Sequence, residues 1–407
     1  MKNLRINYPI YLAFWISLLI IGTACEKKVE PRFPGNVYEA DLYLPTLEEL
    51  QLFYDEGYTI IDGDVLLLDI PGLENMEYLS NVTYIKGFIN IWINEDLKTL
   101  KGLNNLDSIG GSFIIRENKN LEYFDDLNRL KSVGDFLYVY SNEKLLNLDG
   151  LGNLKFIKNA LLIKENKSII NINGLSNLQD VGDVIIIDRN ESLANLNDLN
   201  NLLSVNRLWI TNNQNLKSLS GFNSLQSVSK ININENETFE NLSGFNSLQA
   251  IGITDSLQIP HTKLLIFEND NLIELVGFSN LQYVAGDIRI IKNKNLMNLN
   301  GLGSLQSIYG TFLIDNSNIT NLDAINNLQS VGFHFRLSNN DNLTSLDGLG
   351  ILNSVEVDLI IESNNTLTDL CGIQNLLTID GVGGSTLIDD NAYNPTVEDI
   401  INGDCSL

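Results

Sequence analysis

The chain has 407 residues, with 26 Lys plus Arg against 51 Asp plus Glu and a formal charge of −25. Such a surface repels nucleic acid and anionic lipid. Two histidines, His261 and His334, leave little material for histidine-based catalysis or metal binding, and no cofactor or metal is expected.

Residues 1–24 carry Lys2 and Arg5, an apolar run from Ile10 to Ile21, and then Gly22-Thr23-Ala24-Cys25. A basic start, a short hydrophobic centre and small residues before a cut are the parts of a secretory signal. The run is short for a membrane span. A cysteine directly after small residues resembles the bacterial lipoprotein cleavage box, with Gly22 where that box usually has leucine. The resemblance implies that Cys25 is acylated and becomes the new amino terminus. Residues 25–43 then read as the lipidated cysteine and a tether, since Pro31, Pro34, Gly35 and mixed charges show no apolar period. Over 44–59, Thr46 stands at a capping position with Glu49 three residues later, and Leu47, Leu50 and Phe53 share a face. That spacing predicts an amphipathic helix with a capping box, which covers the open end of the repeats that follow.

From 60 to 392 one unit recurs. Its anchor is the apolar residue at Leu97, Leu121, Leu145, Ile169, Leu193, Leu216, Phe239, Leu272, Leu296, Ile319, Leu343 and Leu367. The intervals are 23 or 24 residues, with one of 33 between Phe239 and Leu272. A fixed period in this range predicts a solenoid, one elongated domain whose coils each touch only their neighbours. Within a coil, Leu121, Phe124, Leu127, Leu130 and Val133 recur every third residue, and Leu137 and Val139 then alternate as in a strand. Glycines after the apolar corner, such as Gly134, are expected to turn the chain with positive φ. Asparagines from Asn118 to Asn364 mark the next corner, where the side chain ties down backbone groups and stacks on its counterpart one coil away. The long interval places a loop near residues 252–263, carrying Pro260 and His261. At the far end, Asn394 and Pro395 predict the start of a short helix in a cap over 393–407. In an exported protein, Cys371 and Cys405 read as a disulfide that staples this cap.

The pattern Gly-Leu-x-x-Leu-x-x-Ile-x-Gly-x-Leu-x-Ile-x-x-Asn-x-x-Leu, read from Gly301 and again from Gly102-Leu103-Asn-Asn-Leu106-Asp-Ser-Ile109, resembles the receptor L domain. It is more similar still to the repeat-bearing surface lipoproteins of Bacteroidetes-type bacteria, over about residues 46 to 405. The resemblance implies an all-β solenoid, a right-handed parallel β-helix of about thirteen leucine-rich-repeat-like coils with short capping helices at both ends. It also implies recognition on a sheet face, and it brings no catalytic residues.

Alternation sorts the strand residues into inward and outward positions. Two outward rows run Asn90, Ile114, Tyr138, Leu162, Ile186, Trp209, Asn232, Leu265 and onward, and Trp92, Arg116, Tyr140, Lys164, Asp188, Thr211, Asn234, Phe267 and onward. Trp92, Tyr138, Tyr140, Trp209, Leu265 and Phe267 are the candidate ligand face, for a protein or for a glycan stacked on the rings. The expectation is a lipid-anchored recognition or adhesion protein of the cell envelope, on the outer-membrane surface, which touches the membrane through its lipid alone and does not catalyse. The competing class is a β-helix enzyme that degrades polysaccharide. Such an enzyme needs clustered acids with a base, whereas Arg116, Lys164, Asp188, Asp315 and Glu362 are spread over many coils.

Overall fold

The structure, a computed structural model, describes residues 35–252 and 261–407. The expected signal, Cys25 and most of the 252–263 insertion lie outside the described residues. No helix among the described residues is long and apolar enough to cross a membrane.

The alternating segments become a wall of parallel strands. Leu66, Asn90, Ile114, Tyr138, Leu162, Ile186 and Trp209 lie side by side on successive strands. The same row continues through Asn232, Leu265, Arg289, Leu313, Arg336, Ile360 and Leu387. Every second residue faces the core, and Ile91, Ile115, Val139, Ile163 and Ile187 have no exposed surface. The anchors Leu121, Leu145 and Ile169 are equally buried in one continuous apolar core. Phe222, Phe245 and Phe278 stack through three coils with centroids 5.7 and 5.0 Å apart.

The leucine-rich segment lies outside the strands. It winds into short 3-10 turns such as Asp149–Leu151, Asn173–Leu175, Asn197–Leu199 and Ser220–Phe222. An apolar residue at every third position is the period of a 3-10 turn, which puts Leu145, Leu148, Leu151 and Leu154 on one buried side. A second row of two-residue strands, including Ile60–Ile61, Ser132–Val133 and Ser354–Val355, makes the corner before the main wall. In Asp180–Asp188, Ser204–Thr211 and Ser227–Asn234 the two rows run together as single long strands.

Gly252, after Ile251, has the expected positive φ of 89°, whereas other corner glycines serve a different purpose. Gly134 and Gly182 do not have positive φ. A Cβ on Gly134 would overlap the carbonyl of Gly110, and one on Gly182 the carbonyl of Lys158, so glycine here lets one coil's backbone rest on the last. Positive φ falls at the other corner instead, at Glu117 (56°), Ser141 (53°), Glu165 (56°) and Arg189 (54°), each just before a buried asparagine. Non-glycine residues tolerate this conformation because the asparagine fastens the turn. Asn118 Oδ1 accepts the Asn94 N–H at 2.9 Å, and Asn118 Nδ2 donates to the carbonyls of Ile91 at 2.9 Å and Arg116 at 3.0 Å. The same arrangement repeats at Asn142, Asn166, Asn190, Asn213, Asn236 and Asn269.

Both ends are closed. Helix Leu47–Asp55 buries Leu50 and Phe53. The Thr46 hydroxyl accepts the Glu49 N–H at 3.3 Å and donates to the Glu49 carboxylate at 2.9 Å, so only one half of a capping box forms. Part of the expected tether belongs to the wall: Val37–Tyr38 pairs with Ile60–Ile61, and Leu42 and Tyr43 pair with Val65 and Leu66. At the other end, Thr396 rather than Asn394 caps helix Val397–Asn402, in a full capping box with Asp399. Asn394 instead closes the asparagine column, accepting the Asn391 N–H at 2.9 Å. Cys371 and Cys405 form the disulfide, with Cα atoms 4.9 Å apart, and the Leu370 N–H donates to the Cys405 carbonyl at 2.8 Å.

Candidate functional site

The strand register gathers the candidate residues into two clusters on the outward face of the main wall. In the first, Trp92, Arg116, Tyr140 and Lys164 occupy one row on four successive strands. The Arg116 guanidinium lies 4.0 Å from the Trp92 ring centroid, close enough for a cation–π contact. Tyr138 and Tyr140 stack with centroids 5.4 Å apart. Burial, then the neighbouring Tyr140 and Glu165, push the Tyr138 phenol well above its ordinary pKa and keep it neutral. Trp92 Nε1, Arg116 Nε and Asn90 Oδ1 are buried polar atoms with no hydrogen-bond partner. Asn90 as a residue is 8% exposed although it faces outward.

The second cluster surrounds Trp209. Arg207 stands 5.8 Å from the Trp209 centroid and grips Asp183 with two nitrogens, Nε to Oδ1 at 3.1 Å and Nη2 to Oδ2. That contact holds the Asp183 carboxyl below the usual carboxylate range. Asp287, 2% exposed, takes Arg289 Nε at 3.1 Å and Nη2 at 2.7 Å, while its other oxygen accepts the Thr311 N–H at 2.9 Å. Leu265 and Phe267 flank this group on one strand, and Lys292 lies 5.4 Å from the Phe267 centroid. Trp209 Nε1, Asn232 Oδ1 and Asn234 Oδ1 are again buried without partners. The face thus brings Trp92 together with Tyr138 and Tyr140, and Trp209 together with Leu265 and Phe267.

Sequence reasoning missed a third outward row. Two residues before Trp209 stands Arg207, which pairs in register with Lys230; on the next strands the register shifts at Lys263, and Asp287 pairs with Thr262. Extending the alternation by two residues in Ser227–Asn234 and Thr262–Phe267 would have found both lysines.

The acids on this face are engaged by neighbours rather than gathered around a pocket. Asp188 accepts the Thr211 hydroxyl at 2.6 Å and lies 3.6 Å from Lys164 Nζ. Glu362 takes Arg336 Nη2 at 2.6 Å. Among the described residues, no group of three or more His, Cys, Asp or Glu is placed to hold a metal ion.

Residues 58–150 match the family model of the receptor L domain. The crystal structure of an internalin (inlF) from Listeria monocytogenes str. 4b F2365 is similar with a TM-score of 0.37 and 16% sequence identity, over 83% of this chain and 88% of that one. No curated protein matches the chain. The match to the receptor L domain thus covers residues 58–150, and the unit of strand and 3-10 turn seen there recurs through the rest of the described wall.

Proposed function

We propose that this is a recognition protein that holds a protein partner against the outward face of its parallel wall and performs no chemistry there. The observation that carries the reading is the grouping of aromatic and guanidinium side chains on the outward rows, Trp92, Arg116 and Tyr140 in one register with Tyr138 stacked on Tyr140. Rings and arginines of this kind are the side chains that anchor protein interfaces. Between the two clusters one outward row is aliphatic, Leu162 beside Ile186, while the other carries Lys164 beside Asp188. Aliphatic side chains complement the side chains of a protein better than the rings of a sugar, which favour aromatic platforms. This weighs for a protein partner over a glycan. Attachment to the cell envelope through an acylated Cys25 belongs to the same reading, and its support is the Gly22-Thr23-Ala24-Cys25 run alone.

The triple substitution Trp92→Ala, Tyr138→Ala, Trp209→Ala tests the reading. The variant is expected to keep the wild-type circular dichroism and to lose at least tenfold in affinity for a partner purified on the wild-type protein. Undiminished affinity in a folded triple variant removes this face as the site.

A further inference from the structure

The geometry points to a carboxylate-binding site at Lys230, where the partner presents an Asp or Glu side chain to the wall; this deepens the docking reading above and rests on it. The third outward row runs Val184, Arg207 and Lys230 in register. Lys263 enters the next strand immediately before Leu264, which pairs with Ile231. Arg207 is bound to Asp183 and Arg289 to Asp287. Lys230 differs from both, for among the described residues no carboxylate pairs with it. It is half-buried, and the neighbouring charges that bear on it, from Lys263, Arg207 and Arg289, are all positive. Burial first, then these cations, lower its pKa from the ordinary 10.5.

In a chain of charge −25 four bases, Arg207, Lys230, Lys263 and Arg289, gather here, with Asp183 and Asp287 bound to the two arginines. A half-buried ammonium with no carboxylate bound to it is unfavourable in the free protein, and an incoming carboxylate relieves it. On the same strand stand Asn232 and Asn234, and Trp209 pairs in register with Asn232, so polar amides and a ring lie next to the lysine. Ile186 and Leu265 on flanking strands offer apolar contact at alternate positions, so the segment that fits alternates acidic and apolar residues. A second copy of the chain brings its own large negative charge and is repelled overall. The stretch 26–32 of this chain holds Glu26 and Glu30 but also Lys27, Lys28 and Arg32, and lacks that alternation.

The probe is a fluorescein-labelled dodecapeptide of alternating Glu and Val, titrated into the full chain at low salt and read by anisotropy. The expected result is saturable binding that weakens at least tenfold in Lys230→Gln, vanishes in Lys230→Glu and is unchanged in Lys217→Gln, an exposed lysine away from this face. Lys230→Gln removes an unpaired charge, so it is expected to melt no lower than wild type, which separates lost binding from lost fold. The proposal falls if the peptide does not bind, or if Lys230→Gln binds it as wild type does. It also falls if oligogalacturonate of matched charge binds more tightly than the peptide, which would assign the site to an acidic glycan. A self-associated wild-type chain that Lys230→Glu renders monomeric in sedimentation would assign it to a second copy. If Lys230→Gln keeps full partner affinity while the aromatic triple variant loses it, the carboxylate site fails and the docking face stands.

Discussion

At the scale of single residues, the asparagine column holds the coils together most tightly. From Asn94 to Asn364 each asparagine of the column has no exposed surface, and its side chain connects its own turn to the coils on either side. Asn166 Oδ1 accepts the Asn142 N–H at 3.0 Å, and its Nδ2 donates to the carbonyls of Val139 and Lys164, each at 3.0 Å. Asn166→Ala strands buried groups at about 1–3 kcal/mol apiece, so a loss of roughly 2–4 kcal/mol is expected. Asn177→Ala, which removes one exposed bond to Gly152, should cost under about 1 kcal/mol. Urea unfolding of the two variants compares them, and equal losses would mean the buried column contributes nothing special. The column has one break among the described residues. At Ser317 the hydroxyl is buried without a partner, although its N–H still donates to Asn340 Oδ1 at 3.2 Å. Ser317→Asn restores the missing amide and is expected to stabilise by about 1 kcal/mol in the same assay. The asparagines themselves were legible from their spacing. The left-handed residue before each was not, because Glu117, Ser141 and Arg189 share no chemistry that announces positive φ; only the neighbour's hydrogen bonds make that conformation tolerable.

At the scale of elements, period explains both what the sequence foretold and what it hid. Alternation located the outward rows to the residue, even at Leu313 and Asp315, where the coil is short. The every-third-residue run set the leucine-rich segment apart from the strand, and its period is that of the 3-10 turn it forms. Glycine was ambiguous: a small residue at a corner serves positive φ or close backbone approach, and only the position of the previous coil decides. The C-terminal cap illustrates how covalent and local forces combine. Cys405 is buried, and Leu407 N–H donates to the Thr368 carbonyl at 3.1 Å, so the last residues are bound to the final coils. The bridge closes a loop with a sequence separation of 34 residues, for which chain entropy gives about 3–4 kcal/mol. The double variant Cys371→Ser, Cys405→Ser should therefore unfold at lower urea by that amount, and a reducing agent should lower the wild type to match it. A double variant as stable as the oxidised protein would show that the cap is held by its backbone contacts alone.

For the molecule as a whole, the question is whether charge stabilises or opposes the stacking of coils. Ion pairs do run from coil to coil at one repeat's separation, among them Lys98 with Glu74 at 3.4 Å, Lys101 with Glu77 at 3.0 Å and Lys292 with Glu268 at 2.9 Å. Their side chains are largely exposed, and solvent screening leaves pairs of that kind a small contribution. Against them stands the excess of 51 acids over 26 bases, brought close by stacking every two dozen residues. Salt screens both terms, over about 10 Å at 0.1 M, but the exposed pairs have little to lose and the repulsion is spread over the entire surface. Melting temperature is therefore expected to rise between 10 and 150 mM sodium chloride. Binding of the acidic probe at Lys230 should fall over the same interval, because there the attraction is what salt screens. Opposite signs from one titration would separate the repulsive field of the solenoid from the local cationic site, whereas a melting temperature that drops with salt would mean that the coil-to-coil pairs outweigh the net charge.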